Sequence, residues 1–143
     1  MQLTSLNPTQ QLTATFTGDV YMTPLGAGGP PSRLSVALVR FTPGARTHWH
    51  VHPLGQVLHV TEGVALVSTR DGNVLRARAG DTIVCPPGEE HWHGASADAF
   101  AAHLAIQESA DDGAGGSSPV TWLEPVPDAV YHAAQSTGFQ AQQ

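Results

Sequence analysis

"PGARTHWHVHPLGQVLHVTEG", Pro43 to Gly63, sets histidines at every second position, His48, His50 and His52, and follows them with a glutamine, Gln56. Side chains on a strand alternate between its two faces, so residues two apart point the same way. His50 and His52 therefore share a face, and His48 joins them if the strand reaches that far. A second strand pairing back through the "PLG" turn would bring Gln56 beside them. Further on, "PPGEEHWHG" supplies His91 and His93, again two apart. Two separated His-x-His pairs in one small β domain point to a metal, because imidazole is the commonest protein ligand of the transition ions.

Outward from these pairs the chain reads as β. Short runs rich in Val, Leu, Ile, Thr and Phe are cut by Gly, Pro and Asp. "RLSVALVRF" (Arg33 to Phe41) is a strand stopped by "TPGA". "GQVLHVTEG" and "VALVSTRDGNVLRARAG" give a strand, a turn at Glu62-Gly63, a strand, a hairpin at Asp71-Gly72 and a further strand; Asp-Gly between such runs is a strong hairpin signal. "DTIVCPPGEEHWHGA" is two short strands about a Pro-Gly turn, and "AFAAHLAIQE" (Ala99 to Glu108) is another strand. "TPLGAGGPPS" (Thr23 to Ser32) and the Gly/Ser-rich segment 109–119 read as surface loops. "DAVYHAAQSTG" suits one short helix, with Asp128 as N-cap and Gly138 as its stop. Eight or nine short antiparallel strands at close spacing predict an all-β domain, a small jelly-roll β-barrel with a short C-terminal helix. The 143 residues make one domain, with its core over about 14–122 and a tail over 123–143.

Composition narrows the function. Net charge is −6, with six arginines, scattered, and no lysine. Nucleic-acid binding needs clustered positive charge, so that class is not expected. A Schiff base of the chain's own is excluded with lysine, and no phosphate-binding glycine motif is present. No apolar run approaches the ~20 residues of a membrane span, and no secretory leader is legible. Cys85 is the single cysteine, so no internal disulfide forms; the expected compartment is the cytoplasm. Trp49 and Trp92 alternate with the histidines and should pack behind the sheet, and Cys85 reads as a buried small hydrophobe. His103, Ala105 and Gln107 share one face of their strand. The other face is also apolar, so the polar pair should face a cavity, with small Ala105 leaving room for a ligand.

The glycines and histidines together resemble the cupin superfamily. Its first motif, G-x5-H-x-H-x3/4-E-x6-G, is met by Gly44, His50, His52, position 56 and Gly63; its second, G-x5-P-x-G-x2-H-x3-N, by Gly80, Pro86, Gly88 and His91. Two positions depart: Gln56 stands for the Glu and Ala95 for the Asn. Within cupins, "HWHVHPLGQ…PPGEEHWHGA…AHLAIQE" resembles the manganese-dependent hydroxynitrile lyases of this fold, over most of residues 34–108. That resemblance implies reversible cleavage of a cyanohydrin to an aldehyde and HCN. It implies His50, His52, Gln56 and His91 as ligands of one divalent transition metal, Mn2+ first, with Fe, Ni or Zn as alternatives. It implies His93, His103 and Gln107 in catalysis, and Ala37 and Val39 as small residues lining the substrate pocket. Bottom-up, His93 is in phase with His91 and serves as general acid or base, or else orients a ligand. Three neutral imidazoles and an amide leave a divalent ion's charge uncompensated, which makes it a stronger Lewis acid.

The same ligands admit two rivals: an O2-dependent dioxygenase on a redox metal, and a non-catalytic small-molecule binder. In every case the expected partner is a small molecule. Unpaired β edges invite self-association, so a homodimer or homotetramer is expected.

Overall fold

The computed structural model describes residues 1–110 and 118–141, so most of the loop expected over 109–119 lies outside the described residues. In chain order the strands are β1 (Gln10–Leu12), β2 (Phe16–Thr17), β3 (Val20–Ala27), β4 (Leu34–Phe41), β5 (Arg46–Thr47), β6 (His50–Val51), β7 (Gln56–Thr69), β8 (Val74–Arg78), β9 (Thr82–Cys85), β10 (His91–Ala95), β11 (Ala101–Glu108) and β12 (Thr121–Trp122); α1 (Asp128–Ala134) follows. The expected eight or nine strands become twelve because β2, β5, β6 and β12 are two residues each, too short to carry a readable period.

All strand pairs are antiparallel, and two sheets face each other as a jelly-roll barrel. One runs β1-β3-β4-β11-β7-β9; the other joins β8, β7 and β10, with β5-β2 and β6-β12 on the far edge of β10. Strand β7 belongs to both. Its first half pairs β11 and β9, its second half β10 and β8. The turn expected at Glu62-Gly63 is instead a bulge inside this one long strand, where the register with β11 slips between Ala102 and His103. Gly63 has φ 71°, and a Cβ there would collide with the Phe100 carbonyl oxygen, so only glycine lets the strand pass.

The hairpin at Asp71-Gly72 forms as expected between β7 and β8. The loop expected from Thr23 does not: β3 continues to Ala27, with Pro24 absorbed at a register shift between Pro24 and Gly26. A proline without its N–H is tolerated at such a bulge. Helix α1 forms, but Pro127 holds the N-cap position and the helix ends at Ala134, short of Gly138. Asp128, expected to cap, instead accepts a hydrogen bond from Arg46 Nη2 at 2.6 Å. No described helix is long and apolar enough to cross a membrane.

Two apolar clusters hold the fold. Val20, Phe41, Leu58, Val60 and Val67 are among those filling the barrel. Trp49, Leu66, Trp92, Val126, Tyr131 and Ala134 pack between the second sheet and the tail. Trp49 and Trp92 thus lie behind the sheet, as alternation requires. Cys85 is buried, with its thiol pushed up to about 12 by desolvation, and is no nucleophile.

Candidate metal centre

Strand pairing brings the two histidine segments together. β6 pairs β10 with His50 opposite His91, and their ring centroids are 4.4 Å apart. The strand does not reach back to His48: the chain is irregular at His48 and Trp49, between β5 and β6. His48 therefore stays outside the cluster, and its carbonyl accepts from His50 Nδ1 at 2.9 Å. The "PLG" segment makes a turn, Gly55 N–H to His52 O, but β6 does not pair β7; β6 lies on β10 and β12. Gln56 opens β7 all the same and is buried with the histidines.

The tautomers are set by main-chain carbonyls. His50 Nδ1 donates to His48 O, His52 Nδ1 to Pro119 O at 2.6 Å, and His91 Nδ1 to Glu89 O at 3.0 Å. Each bond holds the proton on Nδ1 and leaves Nε2 with its lone pair bare. Gln56 Nε2 donates to Gln107 Oε1 at 2.8 Å, which leaves Gln56 Oε1 unengaged. Burial suppresses protonation throughout. His50 and His93 are lowered well below 6.5, chiefly by desolvation and then by neighbouring histidines. His91 is lowered by desolvation, and His52 is lowered to about 4 by the same cause.

Among the described residues, His50, His91 and His93 bring ligand nitrogens within 4.8 Å of one another. His52 stands outside that tightest group, its ring centroid 5.1 Å from His50 and 5.7 Å from His91. Yet His52 Nε2, His91 Nε2 and Gln56 Oε1 are all buried acceptors without a hydrogen-bond partner. One orphaned buried group costs about 1–3 kcal/mol. Three on the same small set of residues fit a cation, which satisfies them all. A neutral, nitrogen-rich donor set of this kind fits a divalent transition metal.

Beside the histidines lies a cavity of about 410 Å3. Ala37, Val39, Ala105 and Gln107 line it as expected, with His93 on its wall. His103 does not reach it. It lies behind His93, 1% exposed, with Nε2 3.1 Å from His93 Nδ1, and burial lowers it to about 4. Four of the lining residues that sequence reasoning missed bear on the site. Phe16, Met22 and Trp122 come from distant segments that share no period with the histidines. Phe16 and Trp122 meet edge to face, 5.4 Å between centroids. The fourth is Thr47, whose hydroxyl accepts the His93 N–H at 3.1 Å. Counting by twos puts Thr47 on the Trp49 face; the break after β5 reverses the phase.

The family described as "Cupin domain" matches residues 37–106. A protein of Granulicella tundricola named (R)-mandelonitrile lyase is 45% identical over 116 residues, covering 81% of this chain and 85% of that protein. A cupin-like protein from Thermotoga maritima superposes with TM-score 0.78 at 32% identity, over 96% of this chain and 100% of that one. A cupin 2 conserved barrel domain protein from Rhodopseudomonas palustris gives TM-score 0.65 at 14% identity, over 85% and 79%, a likeness of fold alone.

Proposed function

This chain belongs to the cupin superfamily, and on that footing we propose that it is a hydroxynitrile lyase, cleaving a cyanohydrin reversibly to an aldehyde and HCN. The observation that carries the reading is the set of bare, buried acceptors at His52, His91 and Gln56, set beside a cavity that also holds His93. The (R)-mandelonitrile lyase of Granulicella tundricola supports the choice of reaction.

His50, His52, His91 and Gln56 would hold the metal, Mn2+ in this reading. Bound there, it supplies Lewis acidity toward the oxygen of a hydroxyl or carbonyl group. The remaining chemistry falls to the chain. His93, neutral through burial, takes the substrate hydroxyl proton. As the carbon–oxygen double bond forms, the bond to the nitrile carbon breaks and its electron pair leaves with cyanide. His93 returns the proton, giving HCN. His103 is a positioning residue: its contact with His93 Nδ1 fixes the ring and decides which nitrogen is protonated. Gln107 turns the Gln56 amide so that its oxygen is the free end. The apolar lining, with Phe16 and Trp122, suits an aromatic or aliphatic substituent and keeps water from the leaving group.

The test is the purified protein loaded with manganese and, in parallel, with iron, nickel or zinc, mixed with mandelonitrile while benzaldehyde release is followed. Metal-dependent release well above background is expected, and His93→Ala should abolish it while metal content is unchanged. No release with any of these ions removes the lyase reading.

A further inference from the structure

Strand β12 touches the histidine cluster and the cavity at once. The Nδ1 protons of His50 and His91 are held locally, each by a carbonyl two residues earlier in the chain. The Nδ1 proton of His52 is held from 67 residues away, by the Pro119 carbonyl just before β12. Trp122 lies opposite His50 in the register of β12 on β6. Of the four rings against the His50 imidazole among the described residues, three belong to histidines and the fourth to Trp122. Val120 and Trp122 also line the cavity, where Trp122 meets Phe16.

The hold on this strand is slight. β12 is two residues long and, among the described residues, pairs β6 alone. Beyond that pairing, Leu123 N–H donates to Trp49 O at 2.8 Å, Trp49 N–H donates to Glu124 O at 3.0 Å, and Leu123 packs on the tail cluster. A short edge strand with few bonds opens more readily than the sheet it borders. When it lifts, His52 loses the acceptor that fixes its tautomer, His50 loses a ring from its side, and the cavity loses a wall. Outer contacts of this kind orient a ligand ring and raise metal affinity. A molecule filling the cavity packs on Val120 and Trp122, and so favours the same docked strand. Two ligands that favour one state strengthen each other's binding by equal factors. We infer that β12 is a clasp shared by metal and cavity: the Pro119 carbonyl and the Trp122 ring position His52 and His50, and an apolar molecule in the cavity tightens metal binding through them. The inference rests on these histidines as metal ligands and not on the reaction.

Toluene is the probe, because it suits an apolar cavity and has no atom that ligates a metal. In chelator-buffered Mn2+, toluene should tighten the metal Kd of the wild type about fivefold, the low end of such couplings. Trp122→Ala should weaken metal binding about tenfold, as loss of an outer contact does, and abolish the toluene effect. Trp122→Phe should recover both in part. Histidine NMR spectra of the metal-free protein give a second readout. In Trp122→Ala the His52 ring should populate both tautomers, while His91, held by its own segment, keeps its proton on Nδ1. Unfolding would move both rings. Toluene without effect on the wild-type Kd, an undiminished effect in Trp122→Ala, or an unchanged His52 tautomer in that variant overturns the clasp. Mandelonitrile cleavage without the toluene effect removes the clasp and leaves the lyase reading; the toluene effect without cleavage does the reverse.

Discussion

Along His91-Trp92-His93 the chain alternates between two interiors. His91 and His93 face the barrel cavity side, where nitrogens are held by single contacts and Nε2 of His91 is left bare. Trp92, at 0% exposure, faces the tail and packs against Tyr131 with ring centroids 5.8 Å apart. The tail side is fastened many times over. Tyr131 O–H donates to Ala95 O at 2.9 Å, Arg46 lies over the Tyr131 ring and donates to Val126 O, and Arg70 stacks on Trp49 while pairing Glu90 and Glu124. Ligand-binding capacity and rigidity therefore reside on opposite faces. Acceptors kept unsatisfied for a ligand cannot stabilise their own surroundings, so the rigidity that positions them comes from the opposite face of the same strands.

The largest effects are expected on the cavity side. His91→Ala should abolish stoichiometric metal binding, read by elemental analysis, and take all metal-dependent activity with it. Metal at about a thousand times its Kd should stabilise the wild type by about 4 kcal/mol, and this variant by nothing. Trp92→Ala attacks the other face. It should cost about 3–5 kcal/mol in urea unfolding and leave the metal content of the folded fraction intact. Loss of metal there would show that the two faces are not separable.

Acid acts on the cavity side through its buried histidines. His52 and His103 titrate near 4 in the fold and near 6.5 when unfolded. The unfolded chain therefore takes up protons first as pH falls. Stability of the metal-free protein, intact above 6.5, is lost between 6.5 and about 4. The slope is up to about 1.4 kcal/mol per pH unit for each histidine. Urea midpoints at pH 7 and pH 5 check this; a flat profile would mean the rings are protonated in the fold. The smallest effect is Tyr131→Phe, which removes one hydrogen bond and should cost about 1 kcal/mol with no change in metal affinity.

What alternation governs was legible from sequence. It placed His50, His52, His91 and His93 together and sent Trp49 and Trp92 to the other side, because facing is decided by neighbours in the chain. It failed where the backbone departs from a regular strand. The break at His48–Trp49 moved Thr47 onto the His93 side, the bulge at Thr61 left one strand where two were expected, and Pro24 was absorbed in β3. Helix capping failed for another reason: Asp128 is drawn to Arg46, a partner 82 residues away in the chain that no local pattern announces. The hydrogen bond from Gln56 to Gln107 and the contact of His103 with His93 are likewise long-range. Sequence could name those residues through resemblance, but not show that His103 stands behind His93 and not in the cavity.

The indole of Trp122 sits 4.8 Å from the His50 ring and is 37% exposed, whereas Trp49 and Trp92 are sealed under the tail. One fluorophore of three therefore has its ring against the histidine cluster, while the other two, next to His50 and His91 in the chain, point away behind the sheet. A paramagnetic ion arriving at His50 would dim the exposed indole of Trp122 most, so the molecule carries its own optical gauge of loading.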